Sequence, residues 1–232
     1  MALPRWVFFD LFDTLATVEE EVYYAGKRAA AQAAGVPYPL FLESWKKTSP
    51  EASVGRLRTP FDRARQALTA LGIEDRAAAA EVARLDVETI QRCVRLYDGA
   101  EVCLKCLRER GFRLGLISNA TATTAFVVSS LRLRELLDLL VFSYEAGAVK
   151  PDPAIFRRAL HRAGCHPGEA LFVGDGANRE LDAARALGFA TVQMDHPVKA
   201  LSFRDPDGLS SPDHLRVASF EELLALPLLQ RE

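Results

Sequence analysis

Asp10, Ser118, Lys150 and Asp175 each follow, or lie just beyond, a short apolar run. Trp6-Val7-Phe8-Phe9 leads into Asp10-Leu11-Phe12-Asp13-Thr14-Leu15, and Arg113–Ile117 leads into Ser118-Asn119. A later run ends in Gly174-Asp175-Gly176, and Val149-Lys150-Pro151-Asp152 precedes a helical pattern. In open α/β sheets ligands bind beyond the carboxyl ends of strands, so two carboxylates, a hydroxyl and an ammonium would face one crevice. Those groups suit phosphoryl transfer. A carboxylate can attack phosphorus directly and divide hydrolysis into an acyl-phosphate step and a water step. A lysine and a hydroxyl neutralise charge on the equatorial oxygens. Two carboxylates on neighbouring strand ends make a hard-oxygen site for Mg²⁺.

The elements that must position these groups alternate. Strands are predicted at Val7–Phe9, Arg113–Ile117, Leu139–Phe142, Ala170–Val173, Ala190–Gln193 and Leu215–Val217. Helices are predicted near Ala100–Arg110, Thr123–Leu131, Pro153–Ala163 and Arg179–Leu187, and this alternation argues for a parallel sheet covered by helices. Gly111, Gly164 and Gly188 stand where helix C-caps belong, and Asp152-Pro153 reads as N-cap followed by N1. Ser219-Phe-Glu-Glu222 reads as a capping box. Residues 17–95 break the alternation, with helical patterns near 19–34, 39–47, 60–71 and 76–95 and no convincing strand. We read an all-helical subdomain over 17–95, inserted into an α/β core made of 1–16 and 96–232.

The chain has 232 residues, 49% of them hydrophobic, enough for a sizeable core with one inserted subdomain. A formal charge of -2 without a basic block argues against nucleic acid. No apolar run of about 20 residues argues for a membrane span, and the first strand begins too early for a signal peptide, so a cytoplasmic location is expected. Cys103 and Cys106 fall in a helical pattern without a second Cys pair or nearby His, and read as buried or half-buried helix residues. His161, His166, His196 and His214 lack metal-ligand spacing and read as surface or loop residues. Asn178 and Arg179 read as helix-cap and surface residues. Ser202–Pro212 reads as a surface loop. Within 17–95, Trp45-Lys46-Lys47 and Arg56 with Arg58 could reach an anionic group of a substrate, though a solvated charged face explains them equally well.

Phe9-Asp10-x-x-x-Thr14-Leu15, the strand ending in Ser118-Asn119, Lys150-Pro151-Asp152-Pro153-x-Ile155-Phe156 and Gly174-Asp175-Gly176-x-x-x-Glu180-Leu181 together resemble the four signature motifs of the haloacid dehalogenase-like hydrolases, in order. The resemblance covers the whole core, and 17–95 resembles the cap that this family places between its first two motifs. It implies a Rossmann-like sheet ordered 5-4-1-2-3, with Asp10 as nucleophile and Ser118 and Lys150 as phosphate and charge stabilisers. It also implies a Mg²⁺ site of Asp10, Asp175 and the main-chain carbonyl of Phe12. Glu180 would act on the metal directly or through water, or orient Lys150. Thr14 caps the following turn or holds the nucleophile loop and, with Asn119, is a candidate for substrate binding. The expected partner is a small phosphorylated molecule; oligomeric state is left open.

One position departs from the pattern. The family's phosphatases usually carry a second Asp two residues after the nucleophile, as general acid and base, and here that residue is Phe12. Asp13, one residue on, points elsewhere along the chain. An aromatic at this place resembles the metal-free dehalogenase branch, whereas Gly174-Asp175 resembles the metal-dependent one. Three readings follow: a Mg²⁺-dependent phosphatase with altered proton handling, a 2-haloacid dehalogenase-type hydrolase, and a catalytically weak binding or regulatory relative.

Overall fold

The computed structural model describes residues 4–198 and 208–230. Among the described residues eight strands are present: β1 (Trp6–Phe9), β2 (Ala16–Val18), β3 (Val94–Leu96), β4 (Arg113–Ser118), β5 (Leu139–Phe142), β6 (Ala170–Gly174), β7 (Ala190–Met194) and β8 (Leu215–Val217). Between β2 and β3 lie helices α1 (Glu20–Ala33), α2 (Tyr38–Lys47), α3 (Ser49–Ser53), α4 (Pro60–Thr69) and α5 (Arg76–Cys93). The rest are α6 (Ala100–Glu109), α7 (Thr124–Ser130), α8 (Leu133–Leu136), α9 (Ser143–Ala146), α10 (Pro153–Ala163), α11 (Glu180–Ala186) and α12 (Phe220–Ala225).

Six strands form one sheet in the order β5-β4-β1-β6-β7-β8, and every neighbouring pair is parallel. Read from β7, the first five give the 5-4-1-2-3 order, and β8 extends the sheet by one edge strand. Strand side chains alternate between faces. Val7 and Phe9 therefore join the buried cluster with α6, α7 and α12, while Trp6 and Phe8 join the opposite one with α10 and α11. Buried on both sides, β1 is apolar throughout, as a central parallel strand must be. Gly115 faces Phe8 across the β1–β4 register, where a Cβ would lie 2.5 Å from the Phe8 ring. Glycine is there to make room.

The helices between β2 and β3 bury a third cluster around Phe41, Trp45, Leu68 and Val82. Gly26 of α1 lets α5 approach closely, since a Cβ would lie 2.0 Å from Thr89 Oγ1. Contrary to the strand-free reading of 17–95, β2 and β3 pair antiparallel as a short ribbon. Three-residue strands are too short to show an alternation. Pro50 sits in the first turn of α3, where its missing N–H costs nothing. Asp152 caps α10 by accepting from the Ala154 N–H at 2.8 Å. Ser219 accepts from the Glu222 N–H at 3.2 Å, while the Glu222 carboxylate takes the Ala218 N–H in place of the expected reciprocal bond to Ser219.

His161 and His166 are exposed, but two other histidines correct the expectation. His196 is buried, with Nε2 2.9 Å from the Thr14 carbonyl and its ring stacked on Tyr97. His214 is buried between Thr191 and Asp182, at 2.8 and 2.9 Å. Cys103 is buried and Cys106 half-buried, both as free thiols. Most of the Ser202–Pro212 loop lies outside the described residues. Among the described residues no helix is long and apolar enough to cross a membrane.

Candidate active site

The first strand delivers Asp10 by running straight into a tight loop. The Asp10 N–H still bonds to the Val173 carbonyl of β6 at 2.9 Å, and the chain then turns back, with Leu15 and Ala16 both donating to the Leu11 carbonyl. Asp13 takes a positive φ of 55° to make that turn. On one side of β1, β4 ends at Ser118; on the other, β6 ends at Gly174 and hands on Asp175. The loop after β4 is pinned by Ser143 Oγ, which accepts from the Ala120 N–H at 2.8 Å.

Lys150 arrives from the loop before α10. Asn119 fixes it through the main chain, accepting from the Lys150 N–H at 2.7 Å and donating to the Lys150 carbonyl at 3.1 Å. Its Nζ contacts Asp10 Oδ1 and lies 2.5 Å from Glu180 Oε2. Gly174 has no room for a Cβ, which would stand 2.1 Å from Glu180 Oε1. Gly176, at φ 88°, lets the chain turn so that its N–H donates to Glu180 Oε1 at 3.3 Å. Asp175 Oδ1 accepts from the Ala177 N–H at 3.0 Å, and the Asp175 carbonyl accepts from Gln193 Nε2 at 3.0 Å. Oxygens of Asp10, Asp175 and Glu180 all lie within 4.8 Å of one another, and all three residues are buried.

Burial raises the pKa of Asp10, with Lys150 acting against the rise and Asp175 adding to it. Burial raises Glu180 well above the usual carboxylate range, again against the pull of Lys150. For Lys150 burial favours the neutral amine, but Asp10 and Glu180 overcome it and hold the ammonium charged.

These groups line a cavity of about 300 Å³, at the small end for ligand sites. Asp10, Phe12, Asp13, Asn119, Lys150, Asp175 and Glu180 are on its wall, and so is the exposed Asn178; Thr14 and Ser118 are not. Thr14 Oγ1 is buried without a hydrogen-bond partner. Ser118 is fully buried, and its Oγ donates only weakly, to the Asn119 carbonyl at 3.4 Å. Arg179 is exposed and does not line the cavity, as a cap and surface residue would be.

The helical insertion adds to the wall residues that sequence reading missed: Tyr23, Lys27, Arg63 and Asp86. Of Trp45-Lys46-Lys47 only Trp45 reaches the cavity; Lys47 pairs with Glu43 at the surface. Arg56 and Arg58 are exposed and take no part in the wall. Lys27 is buried against Asp86, whose other oxygen accepts from Thr123 Oγ1 at 2.9 Å and so ties the insertion to the core.

Comparison with known proteins agrees with this arrangement. A family model described as haloacid dehalogenase-like hydrolase matches residues 4–188. The chain is 29% identical over 198 residues to the haloacid dehalogenase-like hydrolase domain-containing protein 3 of Bos taurus, covering 79% of each. It is 31% identical over 224 residues to a phosphoserine phosphatase of Thermus thermophilus, covering 88% of this chain and 85% of that one. A solved defluorinating L-2-haloacid dehalogenase superposes with a TM-score of 0.68 at 20% identity, over 96% of this chain and 94% of that one, a likeness of fold. With its motifs on adjacent strand ends and a family match over most of its length, the chain belongs to the haloacid dehalogenase-like hydrolase family and is a hydrolase.

Proposed function

We propose that the protein is a Mg²⁺-dependent phosphatase of a small phosphorylated metabolite, working through an aspartyl-phosphate on Asp10. One observation carries this reading: oxygens of three buried carboxyl groups, Asp10, Asp175 and Glu180, lie within 4.8 Å of one another beside one ammonium, which pairs with Asp10 and Glu180. Buried charge left unbalanced is costly, and a divalent cation would cancel it. The donors fit, because Mg²⁺ takes carboxylate and carbonyl oxygens. Asp10, Asp175 and the Phe12 carbonyl would hold it, with Glu180 direct or through water. Bound there, it would neutralise charge on the phosphoryl oxygens and screen them from the nucleophile.

The chain's own groups then divide the work. The Asp10 carboxylate attacks phosphorus and the ester oxygen leaves; water next cleaves the acyl-phosphate, releasing inorganic phosphate and restoring Asp10. Lys150 stays cationic and offsets charge on the nucleophile and phosphoryl oxygens. Asn119 holds Lys150 in place, and Ser118 would reach a phosphoryl oxygen only by turning its side chain. Phe12 lines the cavity without a transferable proton, so the leaving group departs unassisted. Residues 17–95 act as a cap, closing the cavity and choosing the substrate.

Phe12 is also the observation that favours the second reading, carbon–halogen hydrolysis, in which the departing halide needs no proton. Against it stands Asp175, a carboxylate beside Asp10 that would repel a haloacid's carboxylate in the absence of metal. Phosphate release from p-nitrophenyl phosphate with Mg²⁺ or with chelator, beside chloride release from 2-chloropropionate, separates the readings. Mg²⁺-dependent phosphate release that Asp10→Asn abolishes is expected. Metal-free chloride release would replace the proposal, and no turnover of either compound would leave a binding protein.

A further inference from the structure

The cap side of the cavity carries a charge imbalance of the opposite sign. Lys27, Arg63 and Asp86 all line it, so two cations meet one carboxylate. Both oxygens of Asp86 are engaged, one by Lys27 and the other by Thr123. Among the described residues Arg63 donates to two hydroxyls, Thr48 Oγ1 and Ser49 Oγ, each at 3.0 Å. A guanidinium carries five N–H donors, and Nη1 of Arg63 has no acceptor among the described residues. The Arg63 Cζ and Lys27 Nζ lie 4.3 and 4.1 Å from the Trp45 ring centroid. Trp45 itself is buried, lines the cavity, and its indole N–H has no acceptor. Arg63 is half-buried, but the Trp45 indole N–H is a buried donor left without an acceptor, which is rare in folded proteins and calls for an explanation. A guanidinium short of acceptors, a second cation and an unpaired indole N–H around one cavity share one remedy, an anionic oxygen group from a ligand.

We propose that Arg63, Lys27 and Trp45 form an anion subsite on the cap, and that the substrate is a phosphomonoester whose far end carries a second anionic group, a carboxylate or a second phosphate. This rests on the phosphatase reading for the phosphate end. The Mg²⁺-loaded core draws the scissile phosphate, and the cap draws the other anion. An Arg fork suits either group, and about 300 Å³ limits the connecting body to a few carbon atoms.

A matched series tests this: propyl phosphate, 3-(phosphonooxy)propionate and 1,3-propanediol bisphosphate, which end in a methyl, a carboxylate and a phosphate. Wild type should turn over one anion-ended ester with a kcat/KM about 10–100-fold above propyl phosphate, and which one identifies the group. Arg63→Met should collapse that ratio, Arg63→Lys should keep part of it, and Arg58→Met, changing an exposed arginine outside the cavity, should leave it as in wild type. If Arg63→Met does not fold, Arg63→Gln supplies the same comparison. A wild-type ratio near one, or a ratio that survives loss of Arg63, overturns the subsite. If no ester is hydrolysed, the phosphatase reading fails on its own. The subsite is then read from melting temperatures of Asp10→Asn protein with the same three compounds. Greater stabilisation by an anion-ended compound, lost in the Arg63→Met background, supports it, and equal stabilisation by all three overturns it.

Discussion

In the proposed phosphatase, Phe12 occupies the cavity wall beside Asp10 as nucleophile, so proton delivery to the leaving group would be the missing part. p-Nitrophenolate leaves without a proton, whereas an alkoxide does not. We therefore expect wild type to hydrolyse p-nitrophenyl phosphate well ahead of propyl phosphate. General acid–base help is worth ~10²–10⁴-fold, and Phe12→Asp should recover about tenfold of it for the alkyl ester while changing the aryl ester less. Brisk alkyl hydrolysis by wild type would mean that another group supplies the proton. Asp13 would be first in question, since it lines the cavity and accepts from the Tyr97 hydroxyl at 3.3 Å. At the proposed metal site, Mg²⁺ should raise the melting temperature of wild type and not of Asp175→Ala, because a ligand that binds only the native state stabilises it. Equal shifts in both proteins would place the metal elsewhere. Asp10 and Asp175 were legible in the sequence because each follows a strand end, where the backbone fixes direction, whereas Lys150 and Glu180 sit beyond loops and were found through the motif resemblance. Lys27 and Arg63 were not legible. In an Ala-rich amphipathic helix a lysine reads as a solvated residue, and only the packing of α1, α2, α4 and α5 makes it an interior one.

Strand positions were readable from apolar runs and their order came from the family resemblance, yet a close constraint on the sheet lies in the contact between β1 and β4. Gly115→Ala would drive a Cβ into the Phe8 ring, and overpacking of this kind costs about 1–3 kcal/mol. A melting temperature unchanged by that substitution would show that Phe8 can move aside. On α11, Asp182 binds His214 and the Ser211 N–H, tying the segment before β8 to the helix. Burial works against ionisation of Asp182, but these hydrogen bonds outweigh it and hold its pKa below the usual range. A depressed pKa in the folded state contributes stability above the unfolded value of about 4, and that contribution is lost as pH falls through the folded value. Asp182→Asn should therefore melt lower than wild type at neutral pH, with the gap closing as pH falls below about 4. A gap independent of pH would assign the loss to geometry alone. The buried histidines were illegible because nothing near them in sequence names their partners. Thr14, Thr191 and Asp182 come to them only through the fold.

Across the whole molecule, two clusters sandwich the sheet and a third fills the helical insertion. The insertion meets the core through Asp86 and Thr123 and through the β2–β3 ribbon. Removing the Thr123 hydroxyl with Thr123→Val would leave one Asp86 oxygen without its donor. A higher KM with little change in kcat is expected if that bond holds the cap closed over substrate, and a purely structural bond would instead lower the melting temperature without moving KM. The ribbon has a genetic meaning as well. Ala16 pairs with Leu96, so the chain leaves the core and returns to it at adjacent residues. A segment with such closely spaced ends can be exchanged by recombination without rerouting the sheet. Chimeras spliced at 17 and 95 with insertions from relatives should then keep the bond-breaking residues in register and inherit the donor's choice of ester, so that new specificity is acquired by transplant instead of by gradual substitution around the nucleophile.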